Sequence, residues 1–142
     1  MSTDEKTLDE ALLRVAARRL GSVTLIESVS VFPHEKPESV VATFDTIHFP
    51  DEIQTVAIEM QVYQNNDFYI TYREKRECDA WMCRWDRHEN PHNSREHFHC
   101  PPHAQSEDAV DREFPTDFFE LMEQILEEVD ERVGSVWEET TG

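Results

Sequence analysis

Thr55-Val56-Ala57-Ile58-Glu59-Met60-Gln61-Val62-Tyr63, then Gln64-Asn65-Asn66-Asp67, then Phe68-Tyr69-Ile70-Thr71-Tyr72, is the stretch that decides the fold. Successive side chains of a strand point to opposite faces. Val56, Ile58, Met60 and Val62 therefore share one face, and Ala57, Glu59 and Gln61 the other. That pattern predicts a strand buried on one side only. Asn tolerates left-handed backbone, so Asn65-Asn66 reads as a turn. Phe68, Ile70 and Tyr72 continue the apolar face on a second strand, and the pair is an antiparallel hairpin.

Working toward the N-terminus, residues 39–48 are a further β-rich stretch. Residues 22–32 place Val23, Leu25, Val29 and Val31 on one strand face, and Pro33 ends the run. Before them a helix is expected, with Ser2 and Glu5 or Thr7 and Glu10 as a capping box. Leu8, Leu12, Val15 and Ala16 form its apolar stripe, and Gly21 is its stop. Toward the C-terminus a fifth strand falls near 80–86, with Trp81, Cys83 and Trp85 on one face and Met82, Arg84 and Asp86 on the other. Residues 87–113 read as a long, polar, histidine-rich loop, a length that usually serves function. Thr116 is placed to cap a closing helix in which Phe118, Leu121, Met122, Ile125, Val129 and Val133 follow the helical period, with Glu120, Glu123, Glu127 and Glu128 outside. The expectation is an α+β fold over residues 1–142 as a single domain: N-terminal helix, antiparallel meander of about five strands, histidine-rich loop, and C-terminal helix packed on the sheet.

Composition narrows the function classes. At 142 residues the chain can bury a sizeable core without disulfide or metal. Its three glycines, Gly21, Gly134 and Gly142, are too scattered for a P-loop, a dinucleotide fingerprint or a serine nucleophile elbow. No apolar run approaches a membrane span and no export signal is visible, so a cytoplasmic protein without membrane association is expected. The odd set Cys78, Cys83 and Cys100 fits reduced thiols.

The net charge is −18, and Lys supplies only three of thirteen cations. Acidic surfaces poor in Lys suit salt-accumulating cells, where carboxylates hold hydration and long-range repulsion is screened. The charge is also uneven. Arg73, Lys75, Arg76, Arg84, Arg87 and Arg95 lie in one short stretch that balances its acids, whereas residues 100–142 carry thirteen acids and two bases. His88, His92, His97, His99 and His103, five of the seven histidines, lie in the same region.

The strand end Arg84-Trp85-Asp86 and the run His97-Phe98-His99 resemble the TumE-like toxin family of prokaryotic toxin–antitoxin pairs. In that family a strand of a small α+β fold ends in an Arg-aromatic-Asp motif, a His-x-His loop follows, and a C-terminal helix closes the chain. The likeness covers roughly residues 55–130, and the composition adds the expectation of a haloarchaeal relative. It implies a growth-inhibiting toxin acting on RNA and held in check by a DNA-binding antitoxin.

The residues themselves supply a chemistry. Metal-independent RNA cleavage needs a base, an acid and a cation for the phosphorane. His97 and His99 are the expected acid–base pair, with Arg84 on the phosphate and Asp86 orienting an imidazole. Arg87, Arg95, Trp85 and Phe98 are the expected nucleic-acid contacts, by charge and by stacking. No cofactor is expected on this reading. Two alternatives stay open. His97, His99, Cys100 and His103, with Cys83, offer zinc-type donors, although no standard ligand spacing is present. A non-enzymatic interaction module would instead use an apolar helix face that includes Phe119.

Overall fold

The computed structural model describes residues 7–33, 38–88 and 96–141. Helix α1 (Glu10–Gly21) begins where the Asp9 carboxylate accepts from the Leu12 N–H at 3.0 Å. Asp9 takes the capping role expected of Thr7, and the pair Ser2 and Glu5 lies outside the described residues. Leu13, Ala16 and Leu20 are buried, whereas Val15 on the expected stripe is 42% exposed, so the buried face is centred to one side of that stripe. Leu8 and Leu12 pack at the margin of the core.

Among the described residues seven strands follow in one antiparallel meander, each hydrogen-bonded to the next in chain order. β1 (Ile26–Phe32) carries a register shift between Ile26 and Ser28. Val29 and Val31 face the core beyond it. β2 (Ser39–Phe44) buries Val40, Ala42 and Phe44, and β3 (Ile53–Val62) buries Val56, Ile58, Met60 and Val62. The turn to β4 (Phe68–Arg76) runs through Asn66 at φ 76°, the left-handed backbone that Asn accepts. β5 (Ala80–Arg87) pairs with β4 along its length.

The meander is longer than the expected five strands. Within the stretch read as loop, β6 (Glu96–His99) and β7 (Ala109–Asp111) add two more, with a short 3-10 turn over Ser106–Asp108 before β7. The reason they escape a hydrophobicity pattern is plain. β6 has Phe98 as its single apolar residue, and its other inward residue, Glu96, is half-buried and paired with the buried Arg87.

Helix α2 (Phe118–Thr141) closes the chain. Its first turn is capped by Asp117, whose carboxylate accepts from the Glu120 N–H at 3.0 Å, in place of the expected Thr116. Leu121, Met122, Ile125, Val129 and Val136 enter the same core as the α1 residues and the inward side chains of β2–β5. Arg19 of α1 grips Glu123 of α2 through both carboxylate oxygens, at 2.6 and 2.8 Å. That contact raises the guanidinium pKa and lowers that of the carboxyl. Both helices thus cover one face of the sheet, giving two layers. The outward residues of β4–β7 lie on the opposite face. None of the described helices is long and apolar enough to cross a membrane.

Candidate functional site

Strand register assembles the site. Tyr69, Asp86, His97 and Asp111 are paired across β4, β5, β6 and β7, and Thr71, Arg84, His99 and Ala109 form the adjacent row. All of them belong to the alternate positions that face away from the helices. His97 and His99 are two residues apart on a strand, so they share that face, as an extended segment requires.

Asp86 is the centre of the cluster. It is 1% exposed, and its surroundings are polar. Its Oδ2 atom lies 2.7 Å from His99 Nε2 and 3.3 Å from Arg84 Nε. The other ring nitrogen of His99 lies 3.3 Å from the Gln105 carbonyl oxygen. Both ring nitrogens of His99 therefore have an oxygen partner, and Arg84 Nη2 sits 3.2 Å from Nε2. His99 locks the carboxylate in place.

The second oxygen, Oδ1, is buried and makes no hydrogen bond. Two imidazoles stand around it at longer range: His97 Nδ1 at 3.5 Å and His88 Nε2 at 3.7 Å. His88 stacks on Tyr69 with ring centroids 5.6 Å apart and planes 16° from parallel. The far nitrogen of His97 lies 3.8 Å from Oδ1 of the exposed Asp111. His97 is thus the imidazole that joins the buried carboxylate to the surface. Among the described residues, Asp86, His88 and His97 are the group whose donor atoms lie close enough together to hold a metal ion, all within 4.8 Å of one another.

The other expected site residues sit elsewhere. Trp85 is buried beneath α2, its indole N–H donating to Glu128 at 3.2 Å. Phe98 packs against it on the same inward side, with centroids 5.8 Å apart, and Arg112 lies over the Phe98 ring. Arg112 also pairs with Glu128. Arg87 is buried too, donating to Glu96 at 2.7 Å and to the Phe114 and Pro115 carbonyls at 3.0 and 2.9 Å. These three residues build the core side of β5 and β6, away from Asp86. Cys83 is also on the inward face, and burial pushes its thiol up to about 12. Cys100 follows β6, and His103 is exposed in the turn beyond it. Neither belongs to the metal-capable group. Arg95 and His92 lie outside the described residues.

Sequence reasoning gave no role to Tyr69, Gln105 or Asp111, and none to His88 beyond its place in the histidine-rich string. Tyr69 lies on β4, His88 just after β5, Gln105 before the 3-10 turn and Asp111 on β7, so only the pairing of the strands brings them together.

A model of the family described as Toxin TumE matches residues 15–133 of the chain. No curated protein and no solved structure matches it.

Proposed function

The chain belongs to the TumE toxin family, and from that premise we propose that it cleaves RNA in the cytoplasm by metal-independent acid–base catalysis. Family membership makes it a toxin-like component with an antitoxin as partner. A DNA-binding antitoxin would restrain it by covering the polar sheet face. The observation that carries the chemistry is the cluster itself: a buried Asp86 with His97, His88, His99 and Arg84 gathered around it on one face.

In this reading the 2′-hydroxyl oxygen attacks the adjacent phosphorus, and the bond from phosphorus to the 5′-oxygen breaks. A 2′,3′-cyclic phosphate and a free 5′-hydroxyl result. One imidazole takes the 2′ proton, and a second supplies a proton to the departing 5′-oxygen. His97 is the first candidate because it reaches from Asp86 to the exposed Asp111. Of the expected pair His97 and His99, the latter has both nitrogens engaged and acts by holding Asp86, and His88, beside the same carboxylate, serves as the partner imidazole. Arg84 is 35% exposed and offers its guanidinium to the phosphate. Arg73 and Lys75 are exposed on the same outward face of β4 and extend the cationic surface for the RNA backbone.

A cleavage assay on single-stranded RNA, with chelator present, tests the reading. Wild type is expected to cleave, and His97→Ala to lose about 10²–10⁴-fold of the rate, the usual contribution of one positioned proton-transfer group. Arg84→Lys is expected to be impaired despite keeping its charge, because an ammonium cannot form the planar two-pronged contact. A His97→Ala protein as nucleolytic and as growth-inhibiting as wild type would overturn the assignment. A wild type that neither cleaves RNA nor inhibits growth would favour a non-enzymatic interaction module.

A further inference from the structure

We propose that Asp86 Oδ1, His88 Nε2 and His97 Nδ1 form a binding site for one divalent transition-metal ion of the zinc type, and that the ion switches the site off. Binding itself is independent of the RNA reading; the inhibition rests on it.

Three observations converge. The first is an unexplained polar atom. Asp86 is 1% exposed, and its Oδ1 has no hydrogen-bond partner. A buried carboxylate oxygen left unsatisfied is costly, and such an atom in a folded protein calls for an ion, a proton or water. The second is geometry. Ligands about 2.0–2.1 Å from a tetrahedral zinc are separated from one another by about 3.3 Å. His97 Nδ1 and His88 Nε2 stand 3.5 and 3.7 Å from Oδ1, and all three donor atoms lie within 4.8 Å of one another, so approach of the two imidazoles brings three ligands around one ion. The third is support. A ligating carboxylate is usually oriented by further hydrogen bonds. Here Oδ2 of the same carboxylate is held by His99 at 2.7 Å and by Arg84 at 3.3 Å.

The donor set selects the ion. Two imidazoles and one carboxylate suit zinc and its neighbours and leave a fourth position for water, whereas magnesium prefers all-oxygen ligands. An ion seated here occupies the lone pairs of His88 and His97 that proton transfer would use, so it competes with catalysis. The ligands come from β5, the residue after it, and β6, which is why no standard spacing marks them in the sequence.

Calorimetric titration of the chelator-treated full chain with Zn²⁺, with Co²⁺ absorption as a spectroscopic companion, tests the site. One ion per chain is expected, with affinity reduced at least about tenfold in His88→Ala and in His97→Ala. His103→Ala is the control and should bind as wild type does. Circular dichroism checks that each variant is folded, and Asp86→Asn gives a near-isosteric test of the carboxylate. No stoichiometric binding by wild type overturns the site. Binding that survives His88→Ala but is lost in His103→Ala or Cys100→Ala also overturns it, in favour of a donor set in the following turn. If wild type cleaves RNA and Zn²⁺ suppresses cleavage, both readings are supported. Binding without any nuclease activity, with or without chelator, sinks the nuclease reading and leaves the site standing. Cleavage that requires Zn²⁺ overturns the switch and the metal-independent mechanism together.

Discussion

His99 Nε2 meets Asp86 Oδ2 at 2.7 Å across a diagonal of the sheet, because the register pairs Asp86 with His97 and Arg84 with His99. The direct neighbour, His97, stays farther away at 3.5 Å and keeps its other nitrogen toward the surface. One carboxylate is thereby held from one side and left unpartnered on the other. In the proposed mechanism this asymmetry assigns His99 to positioning and His97 to proton transfer.

Asp86→Ala removes the acceptor on which Arg84 and His99 converge and leaves their polar groups beneath a void. A loss of about 3–5 kcal/mol is expected, the usual result of deleting one member of a buried pair. Asp86→Asn keeps the shape and one acceptor oxygen and should lose less. Urea unfolding monitored by tryptophan fluorescence measures both, and equal midpoints for wild type and Asp86→Ala would remove Asp86 from the framework.

Glu74 and Arg132 form a second buried pair on the helix side, 0% and 8% exposed, with contacts at 2.7 and 2.8 Å. Tyr72 donates to the same carboxylate, and Arg132 lies 3.7 Å over the Trp81 ring. Arg132→Ala should cost about 3–5 kcal/mol because it strands a charge under α2. The double variant Glu74→Leu with Arg132→Met should recover part of that loss, since no buried charge is then stranded, while the Tyr72 hydroxyl loses its acceptor. A double-mutant cycle by chemical denaturation gives the coupling, and a double variant as unstable as Arg132→Ala would contradict this account.

Alkaline pH should destabilise the fold through Cys83. Burial moves its thiol from 9.0 to about 12, because the thiolate is poorly solvated between sheet and helix. Above pH 9 the unfolded chain gives up a proton that the folded chain keeps, so stability falls as pH rises through that window. Burial and the facing Glu74 carboxylate raise the Tyr72 phenol in the same direction, adding to the loss above its ordinary range. Urea midpoints between pH 8 and 10.5 should decline, and Cys83→Ala should show a shallower decline from a lower starting point. At neutral pH a thiol reagent should label the exposed Cys78 and spare Cys83 until the protein unfolds.

Salt should stabilise the chain. With a net charge of −18, like-charge repulsion is long-ranged in dilute buffer, and the screening length shrinks to about 3 Å at 1 M. Thermal unfolding followed by circular dichroism should shift upward from 0.1 M to molar KCl. A transition that stays in place across the series would count against the adaptation to high salt read from the composition.

Period-two patterning alone determined the central hairpin: Val56, Ile58, Met60 and Val62 on one strand, then Phe68, Ile70 and Tyr72 on the next, are all buried as the alternation required. The closing helix was likewise legible in its 3.6-residue stripe, because burial against a single sheet demands one apolar face. The resemblance of Arg84-Trp85-Asp86 and His97-Phe98-His99 to the toxin family was legible too. What the tertiary structure decided was pairing. β6 is held by Phe98, by the Arg87–Glu96 ion pair and by its register with β5, none of which leaves a hydrophobic signature in one strand read alone. Trp85 and Arg87 look like nucleic-acid contacts in a row of residues, yet strand alternation and the weight of α2 turn them inward. The cluster of Asp86, His88 and His97 exists only because register brings together donors from separate segments. Linear spacing records neighbours along the chain, and a sheet site is built from neighbours across it.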